Sequence, residues 1–279
     1  QFSNARDVSV PLILLRTPEP ASVVQSLSKV VLKPGKLESD PEQPAPCVQW
    51  DSANGFKAVN AAATQALKTL VSGNAQRDLE ILNPVDALQW ANRLPDYSTV
   101  AMLNLCDFWD GPSGTQVRQA LWNLRDAYKQ NWRTLVAIQH VGAPPPNMTH
   151  DIHTIDDPLP GNDVLAKIIL AQCATAKLKR PSDAILQQAV DAVAGLSVFA
   201  AEQAVALSLR RDGIDLIALR ERHRMLIGNT QGLSVWKGGE RFSDVGGLTN
   251  LVQFCRRFLA GPYRPGSVFF MDEIEKLMA

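Results

Sequence analysis

Five short strand-like segments, residues 8–15, 47–50, 99–105, 134–138 and 151–155, are spaced through the first half of the chain, with helix-patterned stretches and loops between them. This alternation constrains the fold more than any other feature. Parallel strands cannot be joined by a hairpin, so each needs a crossover, which is usually a right-handed helical one. Segments 8–15 and 134–138 are almost wholly Val, Leu, Ile and Ala with little polar alternation, as strands buried on both faces require. Between the segments, Val23, Val24, Leu27 and Val30 fall at helical spacing over residues 21–31, and 57–71 is alanine-rich. Residues 83–94 open with Asn83 as a cap and Pro84 in the first turn, and 114–130 form an amphipathic helix. The expected fold class is α/β, a doubly wound layer around a parallel sheet.

After Pro160 the pattern changes. Residues 163–176, 181–194, 197–211 and 214–227 read as helices, broken at Lys179-Arg180-Pro181 and Asp212-Gly213. An α/β domain over residues 1–160 and a helical subdomain over 161–228 are therefore expected. Residues 229–279 read as a linker and the opening of a second α/β module, with a helix at 249–259 and a strand at 268–273. The chain begins at Gln1 and stops at Ala279 directly after a strongly patterned segment, so a piece of a longer polypeptide is expected.

Lys and Arg number 28, as do Asp and Glu, giving zero net charge. That balance lacks the long-range attraction to phosphate of a dedicated nucleic-acid binder, so nucleic acid is not an expected partner. Residues 10–15 are interrupted by Pro11 and closed by Arg16, far short of the ~20 residues that span a bilayer, and no membrane association is expected. Cys47, Cys106, Cys173 and Cys255 lie 59, 67 and 82 residues apart without a CxxC pair, which fits a reducing cytoplasm. There is no GxSxG elbow, and Cys106 and Cys173 read as small buried apolar residues.

The sharpest chemical signal is the apolar run from Val268 to Met271, which ends in Asp272-Glu273. Parallel strands present their carboxyl ends to a ligand crevice. There, one carboxylate can hold a nucleotide's Mg²⁺ and the next can polarise the water attacking a γ-phosphate, although ordinary strands also end this way. Phe242-Ser243-Asp244-Val245-Gly246-Gly247-Leu248 resembles the opening segment of AAA+ ATPases, and Met271-Asp272-Glu273-Ile274-Glu275-Lys276 looks like their Walker B strand with its turn. More broadly, the chain resembles an AAA+ subfamily, known from cyanobacteria and chloroplasts among others, in which a degenerate AAA domain precedes an active one. The matching stretches are Val10-Pro11-Leu12-Ile13-Leu14, Asn83-Pro84-Val85-Asp86-Ala87-Leu88, the strand before Asp107, Thr134-Leu135-Val136-Ala137-Ile138, Asp157-Pro158-Leu159-Pro160 and Gly195-Leu196-Ser197.

The resemblance implies a degenerate P-loop-NTPase-like sheet with a helical lid, followed by the start of a second AAA+ module. It implies ATP and Mg²⁺ as cofactors, hydrolysis coupled to remodelling of a protein partner, and a homo-oligomeric ring. Asp272 would hold the metal and Glu273 would act as catalytic base, while the backbone of Asp244, Val245, Gly246 and Gly247 would line the adenine pocket. On residues alone, Gly246-Gly247 serves equally as a loop capping the helix from Thr249. No GxxxxGK[ST] occurs in the chain, and Gly247 and Asp272 leave room only for one helix and a turn. Residues are missing, or the phosphate loop lies beyond Ala279 in a rearranged order, or no phosphate is cradled; the second is the expectation. In the first domain the turn after the opening strand is Thr17-Pro18-Glu19-Pro20. Neither proline can donate an N–H to phosphate, and Glu19 repels it. The strand ending Leu105-Cys106-Asp107-Phe108 has Phe where a catalytic Glu would stand, so this domain is expected not to hydrolyse ATP. The alternative for the whole protein is a non-hydrolysing AAA-shaped scaffold or adaptor whose N-terminal half binds a partner.

Weaker features have plainer readings. His150 and His153, with Asp151, Asp156 and Asp157 nearby, could suggest a metal site, but the two histidines would point to opposite faces of a strand, which suits a solvated loop better than a shared metal. Arg220, Arg222, His223 and Arg224, and Arg256 with Arg257, read as basic helix faces. Trp50, Trp90, Trp122 and Trp132 read as core fillers.

Overall fold

The computed structural model describes residues 1–33, 43–71, 78–228, 241–244 and 248–260. The chain divides into two compact units, Gln1–His223 and Arg224–Ala279.

The first unit begins with helix α1 (Phe2–Asp7), which leads through Ser9 (φ 54°) into strand β1 (Leu12–Arg16). Val8 and Ser9, expected in the strand, instead close a helix. The amides of Ser9 and Val10 donate to the carbonyls of Arg6 and Ala5, a Schellman-type end that places a left-handed residue after the last turn. Helix α2 (Pro20–Val30) is followed by a two-residue antiparallel pair, β2 (Leu32–Lys33) with β3 (Gln43–Pro44). Strand β4 (Cys47–Asp51) pairs antiparallel with β5 (Gly55–Ala58). The helix expected from residue 57 starts later, as α3 (Ala61–Leu70), because Lys57 and Ala58 pair with Gln49 and Val48. Asn60 sets its start: its side-chain oxygen accepts from the amide of Ala63 at 2.9 Å.

Helix α4 (Pro84–Ala91) has the expected cap, with the Asn83 side chain accepting from the amides of Val85 and Asp86. Then come β6 (Thr99–Leu103), a single helical turn α5 (Cys106–Trp109), α6 (Gly114–Gln130), β7 (Thr134–Gln139) and β8 (His153–Asp156).

Six strands form one sheet in the order β5-β4-β6-β7-β1-β8, parallel except for β5. Strand side chains alternate faces, so neighbouring residues of β1 enter opposite layers. Leu12 and Leu14 join Trp50, Val100 and Met102 against Leu67 of α3, Leu88 of α4 and Leu121 of α6. Ile13 and Leu15 join Val136 and Ile138 against Phe2 of α1 and Leu27 of α2. The sheet is thus covered on both faces, as its apolar strands require. Trp50 and Trp90 are buried, whereas Trp122 and Trp132, expected in the core, are 38% and 44% exposed. The Arg125 guanidinium lies 5.2 Å from the Trp122 ring centroid.

The chain then enters a helical subdomain with its own core, including Leu165, Ile169, Val190, Val193, Val205 and Leu219. It comprises α7 (Asn162–Thr175), α8 (Asp183–Val193), α9 (Val198–Ala206), a hairpin of β9 (Leu209–Arg210) with β10 (Gly213–Ile214), and α10 (Leu216–Gly228). The helix expected to reach Arg211 ends at Ala206. Asp212-Gly213, expected as an interhelical break, lies at the hairpin turn, with Gly213 at φ 138°.

In the second unit, Phe242–Asp244 form one 3₁₀ turn and Thr249–Ala260 form helix α11. Arg256 lies 5.9 Å from the Phe242 ring centroid. The strand expected at 268–273 lies outside the described residues. Among the described residues no helix is long and apolar enough to cross a membrane.

Candidate functional site

The carboxyl ends of β1, β6, β7 and β8 lie on one edge of the sheet, where parallel α/β layers generally hold ligands. The side chains there bind one another. Arg16, the last residue of β1, makes a two-point ion pair with Asp156, the last residue of β8, at 2.6 and 2.8 Å. Those hydrogen bonds hold the Asp156 carboxyl below its ordinary range. The next residues on each strand also pair, with the Thr17 hydroxyl donating to Asp157 at 2.7 Å. On the other side of β1, the Gln139 amide at the end of β7 donates to Asp107, just beyond β6, at 2.8 Å.

The turn that would cradle phosphate has its backbone donors already engaged. The Thr17 amide donates to the Gln139 carbonyl at 2.9 Å and the Glu19 amide to the Thr17 hydroxyl at 2.9 Å. Pro18 and Pro20 have no N–H. Among the described residues bonded at this edge, the carboxylates of Glu19, Asp107, Asp156 and Asp157 outnumber the Arg16 guanidinium, a balance that disfavours an anion. These residues do not fit a triphosphate or its metal.

Asp107 differs from its expected setting. Strand β6 stops at Leu103, and Asp107 sits in the helical turn α5 rather than at a strand tip. Phe108, expected from the resemblance where a catalytic acid would stand, packs against the core with its ring edge-on to Trp50 at 6.3 Å between centroids. Cys106 beside it is no nucleophile: burial, and then the Asp107 charge, push its thiol to about 12. Burial likewise pushes Cys47 to about 12. At pH 8 their thiolate populations are then of order 10⁻⁴, and alkylation requires the thiolate. Iodoacetamide at pH 8 is expected to modify Cys47 and Cys106 at least about 100 times more slowly in the native chain than in urea, as read by peptide mass spectrometry. Comparable rates would contradict the burial.

Of the residues singled out in the sequence, Asp272, Glu273, Val245, Gly246 and Gly247 lie outside the described residues. Asp244 is exposed and closes a local turn, accepting from the Arg241 amide at 2.7 Å and the Ser243 hydroxyl at 3.1 Å. Arg125 binds Asp151 at 2.6 Å, and no group of three or more His, Cys, Asp or Glu is placed to hold a metal among the described residues. Sequence reading gave no role to Arg16 or Gln139, whose one signal is that each is the first polar side chain after an apolar run, and it placed Asp156 beside His150 and His153 rather than against Arg16.

The SpoVK-like AAA ATPase, N-terminal domain family matches residues 2–156, more than half of the chain. Among solved structures, the AAA domain of FIGL-1 in complex with ADP is similar over 82% of this chain and 78% of its own, with 9% identity and a TM-score of 0.45. A structure described as the structural basis for katanin self-assembly is similar over 82% of this chain and 74% of its own, with 11% identity and a TM-score of 0.44. No curated protein matches the chain.

Proposed function

The chain belongs to the SpoVK-like AAA ATPase N-terminal domain family, and from that premise we propose that residues 1–160, with a lid of residues 161–228, are the non-hydrolysing module of an ATP-driven protein remodeller. The observation that carries this is the turn Thr17-Pro18-Glu19-Pro20, whose N–H groups are absent or engaged and whose one charge is negative. Hydrolysis belongs in this reading to a module opening within residues 229–279. There, Asp244, Val245, Gly246 and Gly247 would line the adenine, Asp272 would hold Mg²⁺, and Glu273 would accept a proton from the attacking water. The ring and the protein substrate are part of the same proposal.

Photolabelling of the full polypeptide with 8-azido-ATP tests it. Label is expected on peptides from residues 241–279 and none on residues 12–24; label in 12–24 refutes the assignment. A second reading, an AAA-shaped scaffold that hydrolyses nothing, is favoured by the absence of GxxxxGK[ST] from all 279 residues. It predicts no ATP turnover by the complete gene product.

A further inference from the structure

We infer that Glu19 is an internal anion that latches the helical lid to the carboxyl edge of the sheet, fixing the lid without a ligand. The first turn of a helix leaves amides unpaired and carries partial positive charge, and helices usually answer this with their own acids or caps. Helix α7 has Asp163 in its first turn and α8 has Asp183, and Asp215 accepts from the Ala218 amide at the start of α10. Helix α9 has no acid in its first turn, Val198-Phe199-Ala200. Its Ser197 cap accepts from Ala200 at 3.2 Å, and a carboxylate oxygen of Glu19 accepts from the Phe199 amide at 2.8 Å, from 180 residues away in the chain.

Glu19 is held in place for this contact. Its own amide donates to the Thr17 hydroxyl, which donates in turn to Asp157, and the prolines on either side restrict the turn. Asp157 also begins the connection into α7, because β8 ends at Asp156 and α7 starts at Asn162. The lid is therefore tied twice to the same corner of the sheet, once by the chain and once by the carboxylate. This inference rests on the reading above that the turn takes no phosphate.

Residue-resolved hydrogen exchange on the full chain tests the latch. Glu19→Ala is expected to raise the exchange rate of the Phe199 amide about tenfold, and Glu19→Gln, which keeps an oxygen acceptor without the charge, by a smaller factor. Acetate at high concentration is expected to restore protection in Glu19→Ala, and ATP to leave wild-type exchange at Phe199 unchanged. Should Glu19→Ala lose protection across β1 and β7 as well, it has unfolded and Glu19→Gln alone decides. Equal Phe199 exchange in wild type and a folded Glu19 variant overturns the latch. Azido-ATP label on residues 12–24 would instead overturn the module assignment, so the two failures are distinguishable.

Discussion

Replacing Trp50 by alanine is expected to remove about 3–5 kcal/mol of unfolding free energy, the range for truncating a buried aromatic side chain. Trp50 is fully buried on β4, its indole N–H donates to the Ile81 carbonyl at 2.6 Å, and the Phe108 ring meets it edge-on. Truncation leaves a cavity and an unpaired carbonyl together. A domain holds only ~5–15 kcal/mol in total, so the variant lies close to unfolding. Urea denaturation followed by circular dichroism measures the loss. Trp122→Ala, at an exposed site, should change stability by less than about 1 kcal/mol. A Trp50→Ala loss no larger than that control would mean the tryptophan is not in the core.

The second large effect concerns catalysis and follows from the proposed division of labour. On the proposed reading, Glu273→Gln in the full polypeptide should leave ATP bound and slow turnover at least about 100-fold, the usual contribution of a positioned base. Asp107→Asn should leave turnover unchanged, because Asp107 already accepts from Gln139 and its neighbour is Phe108 rather than an acid. Steady-state hydrolysis and equilibrium nucleotide binding separate the two quantities. Full turnover in Glu273→Gln removes Glu273 from the mechanism, and a large loss in Asp107→Asn returns hydrolysis to the first module.

Much of the fold was legible because it is written in local chemistry. Burial on both faces left β1 and β7 almost wholly apolar, and Asn83-Pro84 announced α4 by a cap and a compatible φ. Amphipathic spacing located α6 at its observed bounds. Other elements depend on distant partners. Lys57 and Ala58 look helical until Val48 and Gln49 are beside them, and Leu209 and Arg210 continue a helical pattern until Gly213 and Ile214 pair with them. Val8 and Ser9 carry a strand-like composition but are claimed by carbonyls of α1. The candidate site divides in the same way. The unsuitability of Thr17-Pro18-Glu19-Pro20 for phosphate is a property of those residue types and could be read directly. The ion pair of Arg16 with Asp156 and the bond from Gln139 to Asp107 join residues 140 and 32 positions apart, which no local pattern encodes.

The turn after β1 also bears on redesign. Building a phosphate cradle there would require exchanging Pro18, Glu19 and Pro20 and installing a lysine. Exchanging Glu19 in particular would forfeit the contact its carboxylate already makes with the Phe199 amide. On the proposed reading, acquiring nucleotide at this turn and keeping the lid tied to the sheet are therefore competing uses of the same few residues.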